Sequence, residues 1–169
     1  MTMPPVDEVD RLVVAWRRER PDLDITPMEV LSRVTRLARH LDLARRTAFE
    51  DHDLETWEFD VLTALRRAGS PYQLSPGRLI RETMVTSGTM THRVDRLATK
   101  GLVVRLPDPG DRRGVIVQLT DEGRSRVDAA LEGLLEQERR LLDGLSSAQR
   151  ESLAAMLRTV VAPFDDDAD

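Results

Sequence analysis

Cysteine is absent from this 169-residue chain, and with it a disulfide framework, a thiolate zinc site and a cysteine redox switch. Long hydrophobic runs are absent too, since no stretch approaches the roughly 18 consecutive apolar residues that a membrane span needs. The first residues, MTMPPVDEVD, lack a signal peptide's basic and apolar regions, so the expected location is cytoplasmic. Enzyme signatures are missing as well. The three histidines, His40, His52 and His92, form no HExxH pair, and neither a glycine-rich phosphate loop nor a nucleophile elbow occurs. Asp51-His52-Asp53 offers metal-ligating side chains but reads better as a solvated helix end. No enzymatic activity, cofactor or metal is expected.

What is present is 40% hydrophobic and 33% charged residues, the balance of a soluble globular protein. The length allows one compact domain, or a small domain with dimerising extensions. A net charge of -5 argues against a uniformly basic nucleic-acid binder. The charges are unevenly spread, however. Between Tyr72 and Gln118, eight Lys/Arg (Arg78, Arg81, Arg93, Arg96, Lys100, Arg105, Arg112, Arg113) face four acids (Glu82, Asp95, Asp108, Asp111), a net +4 that leaves -9 for the remainder. A basic module sits in an acidic frame.

Val9, Leu12, Val13 and Trp16 recur at helical spacing over Val6 to Glu19, and Pro21 ends this first helix. Thr26-Pro27-Met28-Glu29 then reads as an N-cap threonine, a proline at the first helical position and a capping-box glutamate, opening a helix to about Glu50. A third, unusually apolar helix spans Glu55 to Ala68 and stops at Gly69-Ser70-Pro71. Ser75-Pro76 opens a short fourth helix to Thr83, and Thr86-Ser87 a fifth that ends at Lys100-Gly101. Leu102 to Leu106 and Val115 to Leu119 are the only runs that read as strand, joined by PDPGDRRG as a hairpin. Thr120-Asp121 caps a long helix to about Leu142, and Ser146 to Gln149 offers a capping box for a last helix to Val161. The tail DDDAD is expected to be disordered. No repeat or long linker divides the chain.

Helix, turn, helix and a basic-tipped hairpin follow one another in the order of a winged helix, in which a helix enters the major groove and the hairpin reaches the neighbouring minor groove. At about 100° per residue, Met90, Val94, Leu97 and Ala98 fall on one side of the fifth helix and pack inward. Gly88, Thr89, His92, Arg96 and Thr99 fall opposite, with Ser87 and Thr91 beside them. Their hydroxyl, imidazole and guanidinium groups suit base edges and phosphates. An ordinary solvated helix face is the alternative, and the hairpin that follows weighs against it.

The segment DPGDRRGVIVQLTDEG resembles the wing of the MarR family of transcription regulators, whose pattern is Asp, variable, Arg at the hairpin tip, then alternating apolar residues and Leu-Thr. EFDVLTALRRAG and VTSGTMTHRVDRLATKGLVVR resemble the same family's third and recognition helices, so the likeness covers roughly residues 54 to 124. The resemblance implies that Arg113, beside Arg112, enters the minor groove and that Asp111 orients it, which fits a carboxylate's hold on a guanidinium and the potential of that groove. The expected fold is mainly α with a small β-hairpin, a winged helix-turn-helix with N- and C-terminal dimerisation helices. Residues 1–169 are read as a single domain in which about 54–124 form the DNA-binding lobe and 6–50 and 121–161 knit two subunits. The apolar stripes of the outer helices also permit closure within one subunit. A two-fold protein matching a palindromic operator favours the dimer.

The helix that precedes the usual family core, with its tryptophan in VVAWRRERPDLD, resembles the PecS-like, urate-responsive branch of the MarR family. The effector residues this implies are Trp16, Asp60, Arg67 and Arg93. Asp60 and Arg67, seven apart on one helix, share a face about 10.5 Å apart along the axis. An anionic heteroaromatic can stack on Trp16 and pair with the arginines while Asp60 accepts a ring N–H. Arg93, on the flank of the recognition helix, links effector to DNA. Core packing of Trp16 and a structural network around Asp60 are the competing readings. Trp16 fluorescence is the expected reporter, with Trp57 as background. The expected function is a DNA-binding transcription regulator, a homodimeric repressor released by urate or a related anionic aromatic. Its partners are double-stranded DNA, a second copy and that effector, with no membrane. The rival is a winged-helix protein-interaction module without DNA binding or ligand response.

Overall fold

The computed structural model describes residues 6–111 and 114–165. They belong to two compact units, Met1–Thr47 and Ala48–Asp169.

In the first unit, α1 (Glu8–Glu19) opens on Asp7, whose carboxylate accepts the Asp10 N–H at 2.9 Å while the Asp10 carboxylate accepts the Asp7 N–H at 2.8 Å. This reciprocal cap satisfies two otherwise orphaned donors. α2 (Thr26–Glu50) begins with Thr26 already helical. The expected threonine cap gives way because Asp24, two residues earlier, supplies the acceptor: its Oδ1 takes the Thr26 N–H at 2.9 Å. Glu29, expected to complete a capping box, instead meets Arg17 at 2.5 Å. Val9, Val13 and Ile25 form a small buried cluster with Met28 packed against it. Arg33 reaches both Asp7 (2.8 Å) and Asp10 (2.7 Å). The Arg33 hydrogen bond, and after it the Asp10 N–H, lower the Asp7 carboxyl from 3.8 to about 2.

The second unit is built around α3 (Thr56–Arg67). Glu58, Phe59, Val61, Leu62, Ala64 and Leu65 are buried on it, which accounts for its apolar sequence. α4 (Pro76–Thr83) is capped by Ser75 and α5 (Ser87–Thr99) by Thr86, as their sequences imply. β2 (Val103–Pro107) and β3 (Val115–Leu119) form an antiparallel hairpin with Arg105 opposite Val117. A third strand escapes the sequence: β1 (Gln73–Leu74) pairs with the other edge of β3, giving the order β1-β3-β2. Two residues are too few to display alternation. α6 (Asp121–Leu141) is capped by Thr120, and α7 (Ser147–Asp165) by the reciprocal Ser146 and Gln149 bonds.

α7 runs past the expected end at Val161, carrying Pro163 inside it, so the tail begins within a helix. The rest of DDDAD lies outside the described residues. The core joins Phe49, stacked on Phe59 with ring centroids 4.1 Å apart, to Leu79, Met90, Leu97, Val117 and Val127. α7 adds nothing to it. Among residues 147–164 only Arg150 and Leu153 are half-buried, and Met156, Val160 and Phe164 are exposed. Among the described residues no helix is long and apolar enough to cross a membrane.

Candidate nucleic-acid interface and effector residues

α5 is split by polarity in the sense its helical count predicts. Met90, Val94 and Leu97 are buried and Ala98 is half-buried, whereas Ser87, Gly88, Thr89, Thr91, His92, Arg96 and Thr99 are exposed. Two of the hydroxyls are committed inward along the helix: Thr91 Oγ1 donates to the Ser87 carbonyl (3.1 Å) and Thr99 Oγ1 to the Asp95 carbonyl (2.9 Å). These threonines therefore offer outward acceptor lone pairs and methyl groups. Cationic donation on this face falls to Arg96.

Arg96 meets two residues at the start of α3 that no local pattern links to it, its N-cap Glu55, 41 positions away, and Trp57. It donates to Glu55 Oε1 at 2.5 Å, and its guanidinium lies 4.8 Å from the Trp57 ring centroid. Trp57 Nε1–H donates to the other Glu55 oxygen at 2.6 Å. The indole N–H first, and Arg96 after it, hold the Glu55 carboxyl below its ordinary value. Nearby, the wholly buried Glu58 accepts from Lys100 Nζ at 2.9 Å and from the Glu55 N–H at 3.0 Å, pinning the end of α5 to the start of α3.

The hairpin is tied to α5 by Arg105, whose guanidinium meets Asp95 at 2.9 Å and the Thr91 carbonyl at 3.4 Å. At its tip the Asp108 N–H donates to the Gly114 carbonyl (3.0 Å) and the Gly114 N–H to the Asp111 carbonyl (2.8 Å). Asp111 is exposed there. Arg112 and Arg113, the expected minor-groove residues, lie outside the described residues. The turn containing Asp51-His52-Asp53 is bound from two sides: Lys100 Nζ reaches the Asp53 carbonyl and Arg126 its carboxylate, each at 3.4 Å.

Of the expected effector residues, Trp16 belongs to the first unit and is 45% exposed. Asp60 is half-buried on α3. Arg67 and Arg93, read as converging on one ligand, have separate partners: Arg67 pairs with Glu82 of α4 at 3.2 Å, and the half-buried Arg93 lies 5.4 Å from the Trp57 centroid. Trp57 is thus an aromatic platform shared by Arg93 and Arg96. Within the first unit, a cleft of about 240 Å³ between α1 and α2 is lined by Val9, Leu12, Thr35, Arg36 and Arg39 among others, and Trp16 is not part of its lining.

Residues 52–114 match the MarR family. Over 153 residues the chain is 40% identical to the HTH-type transcriptional regulator PecS of Dickeya dadantii, covering 90% of this chain and 92% of that one. The chain belongs to the MarR family. Among solved structures it is similar to Bordetella bronchiseptica BpsR, in a study of the regulation of that protein's DNA binding by 6-hydroxynicotinic acid (28% identity, TM-score 0.62, 78% of this chain and 91% of that one). It is also similar to a mutant MarR from E. coli complexed with operator DNA (27% identity, TM-score 0.66, 82% and 99%). The family match runs from the turn before α3 to the hairpin tip. The flanking helices of this MarR-family transcription regulator are instead covered by its likeness to PecS, which spans nearly the whole chain.

Proposed function

We propose that this MarR-family regulator is a cytoplasmic homodimeric repressor that binds a palindromic operator and is released by a small anionic aromatic such as urate. α5 is its reading element, through Ser87, Gly88, Thr89, Thr91, His92, Arg96 and Thr99, and the hairpin, with Asp111, Arg112 and Arg113, is its minor-groove element. The observation that carries this reading is the division of α5 into a buried apolar side and an exposed polar side, beside a hairpin fastened to it by Arg105 and Asp95. Phosphate contacts from that face give affinity, and base edges give sequence.

Self-association is supported by apolar surface that each unit leaves uncovered. Val30 (58%) and Leu31 (54%) are exposed on α2, and Met156 (58%) and Phe164 (74%) on α7. Isolated apolar side chains on a surface are ordinary, but apolar side chains grouped along α7, where none of residues 147–164 is buried, fit a surface that another chain covers. Residues 6–50 and 121–161 are therefore assigned to dimerisation and about 54–124 to the DNA-binding lobe. The effector assignment rests on the kinship with PecS and on BpsR, whose DNA binding is regulated by an aromatic acid. Trp16, Asp60, Arg67 and Arg93 are its candidate residues.

A band-shift titration with the gene's own upstream DNA, with and without a panel of anionic aromatics, tests the reading. A salt-dependent shift that an anionic aromatic reverses supports it. Absence of any shift, even on random duplex at low salt, overturns DNA binding and leaves a protein-interaction module. Light scattering checks the dimer, and a monomer mass at micromolar concentration overturns that part alone.

A further inference from the structure

Arg96, the cation on the exposed face of α5, is held from two sides. One of its terminal nitrogens donates to Glu55, its guanidinium stacks on Trp57, and Trp57 donates its indole N–H to the second Glu55 oxygen. Each of the three groups thereby fixes another. A guanidinium carries five N–H donors, and stacking consumes none of them. With one terminal nitrogen on Glu55, the remaining edge of the fork stays available, and the side chain is 45% exposed.

We propose that Glu55 and Trp57 are positioning residues for Arg96, and that through it they set the sequence discrimination of α5. The inference rests on the reading of α5 as the DNA-facing helix. A free arginine on such a face follows whichever phosphate lies nearest, because its long side chain samples many rotamers and phosphate is its strongest partner. Such contacts add affinity for every duplex alike. An arginine clamped between a carboxylate and an indole cannot follow phosphates freely. It presents its open edge in one direction, where a pair of acceptors such as the N7 and O6 of guanine matches it and other base edges do not. The Glu55 carboxylate also disfavours phosphates that approach Arg96 out of register. Arg93, a second cation over the same indole, opposes movement of Arg96 across the ring.

The test compares an upstream fragment that the wild type shifts with a scrambled duplex of equal length and composition, at one salt concentration. The proteins are wild type, Glu55→Gln, Trp57→Phe, Arg96→Ala and the double variant Glu55→Gln/Arg96→Ala, each checked for helical content and thermal midpoint. Glutamine retains an acceptor for the indole N–H, and phenylalanine retains a ring while removing that donor. Glu55→Gln is expected to bind the specific fragment about tenfold more weakly without losing affinity for the scrambled duplex. Trp57→Phe should shift the ratio in the same direction by less. In the Arg96→Ala background, Glu55→Gln should change neither affinity, because its effect passes through Arg96. An unchanged ratio in Glu55→Gln, or an equal loss in both backgrounds, overturns the clamp while a loss in Arg96→Ala leaves α5 as the reading helix. Wild-type affinity in Arg96→Ala overturns the clamp together with the DNA role of Arg96.

Discussion

The Arg105 guanidinium on β2 lies 2.9 Å from the Asp95 carboxylate on α5, joining the hairpin to the helix proposed to read DNA. In a winged helix both elements meet one duplex, so this tie fixes one against the other. The pair is exposed, at 40% and 59%, which limits its contribution to stability to under about 1 kcal/mol. Asp95→Ala removes the tie but also an acid near the DNA face, two changes that oppose each other in binding. Operator affinity is expected to fall at most about threefold, against roughly tenfold for Arg96→Ala. Band shifts on the two variants decide: a larger loss in Asp95→Ala means that α5 faces DNA differently.

Local signals made most of the fold readable. Ser75, Thr86, Thr120 and Ser146 each combine a capping side chain with a following apolar period, and each opens a helix in the structure. Where two acceptors compete within a few residues, as Asp24 and Thr26 do, composition alone does not choose between them. β1 exists only because β3 offers an edge to Tyr72, Gln73 and Leu74, which is a tertiary cause. The candidate interface divides in the same way. The outward face of α5 follows from helical periodicity, whereas the Glu55, Trp57 and Arg96 cluster joins residues far apart in the chain and leaves no periodic trace.

Gly123 sits where α6 enters against the chain leaving α5. A Cβ there would lie 2.1 Å from the Leu102 carbonyl oxygen and 3.0 Å from its carbon, both backbone atoms. Gly123→Ala should therefore destabilise the protein by about 1 to 3 kcal/mol, lowering the thermal midpoint by several degrees. Gly133→Ala is the control. Its nearest neighbour would be the Ala48 Cβ at 3.8 Å, and alanine in a helix interior gains about 0.5 to 1 kcal/mol over glycine. Calorimetry showing equal effects of the two substitutions would sink the argument.

At the hairpin tip, a Cβ on Gly114 would stand 2.8 Å from the Asp108 Cβ and 3.1 Å from both the Asp111 Cβ and carbonyl oxygen. Gly114→Ala is expected to open the turn and weaken operator binding, with the thermal midpoint nearly unchanged because Asp108, Asp111 and Gly114 stand outside the buried core. Arg113→Ala should weaken binding by about 1 to 3 kcal/mol and relax preference for A·T-rich flanks. Unchanged operator affinity in Arg113→Ala at physiological salt would remove the hairpin from the interface.

Asp7 gives the first unit an acid-sensitive start. Its carboxyl is lowered from 3.8 to about 2, chiefly by Arg33, so the unfolded chain takes up this proton more readily than the folded one. The stabilisation is complete above about pH 4 and is lost as pH falls through about 2. The helical signal of Asp7→Asn should therefore be less heat-resistant than wild type at pH 6, with the gap closing only near about pH 1, below the folded value. Added salt should narrow the pH 6 gap, since these groups are exposed. A gap that persists undiminished from pH 6 to about pH 1 would assign it to capping rather than to charge.

Urate at up to millimolar concentration is expected to release DNA and to lower tryptophan fluorescence. Release requires differential affinity: the effector must favour a conformer whose reading helices no longer match the operator, because equal binding to both conformers shifts nothing. Arg93 is suited to this link, since it shares the Trp57 ring with Arg96. Drawing its guanidinium toward an anion would disturb the surroundings of Arg96, the side chain proposed to meet DNA. Trp16→Phe should lose most of the fluorescence change, with Trp57 supplying the residue of it. Arg93→Ala should fold and bind DNA yet respond poorly to urate in band shifts. Arg36→Ala, in the cleft between α1 and α2, is the third variant because that cleft also offers cations beside apolar walls. If another anionic aromatic releases DNA where urate does not, the site survives and the effector identity changes. If Trp16→Phe and Arg93→Ala respond like wild type while Arg36→Ala does not, the effector belongs in the cleft, and Arg93 has no part in its signal.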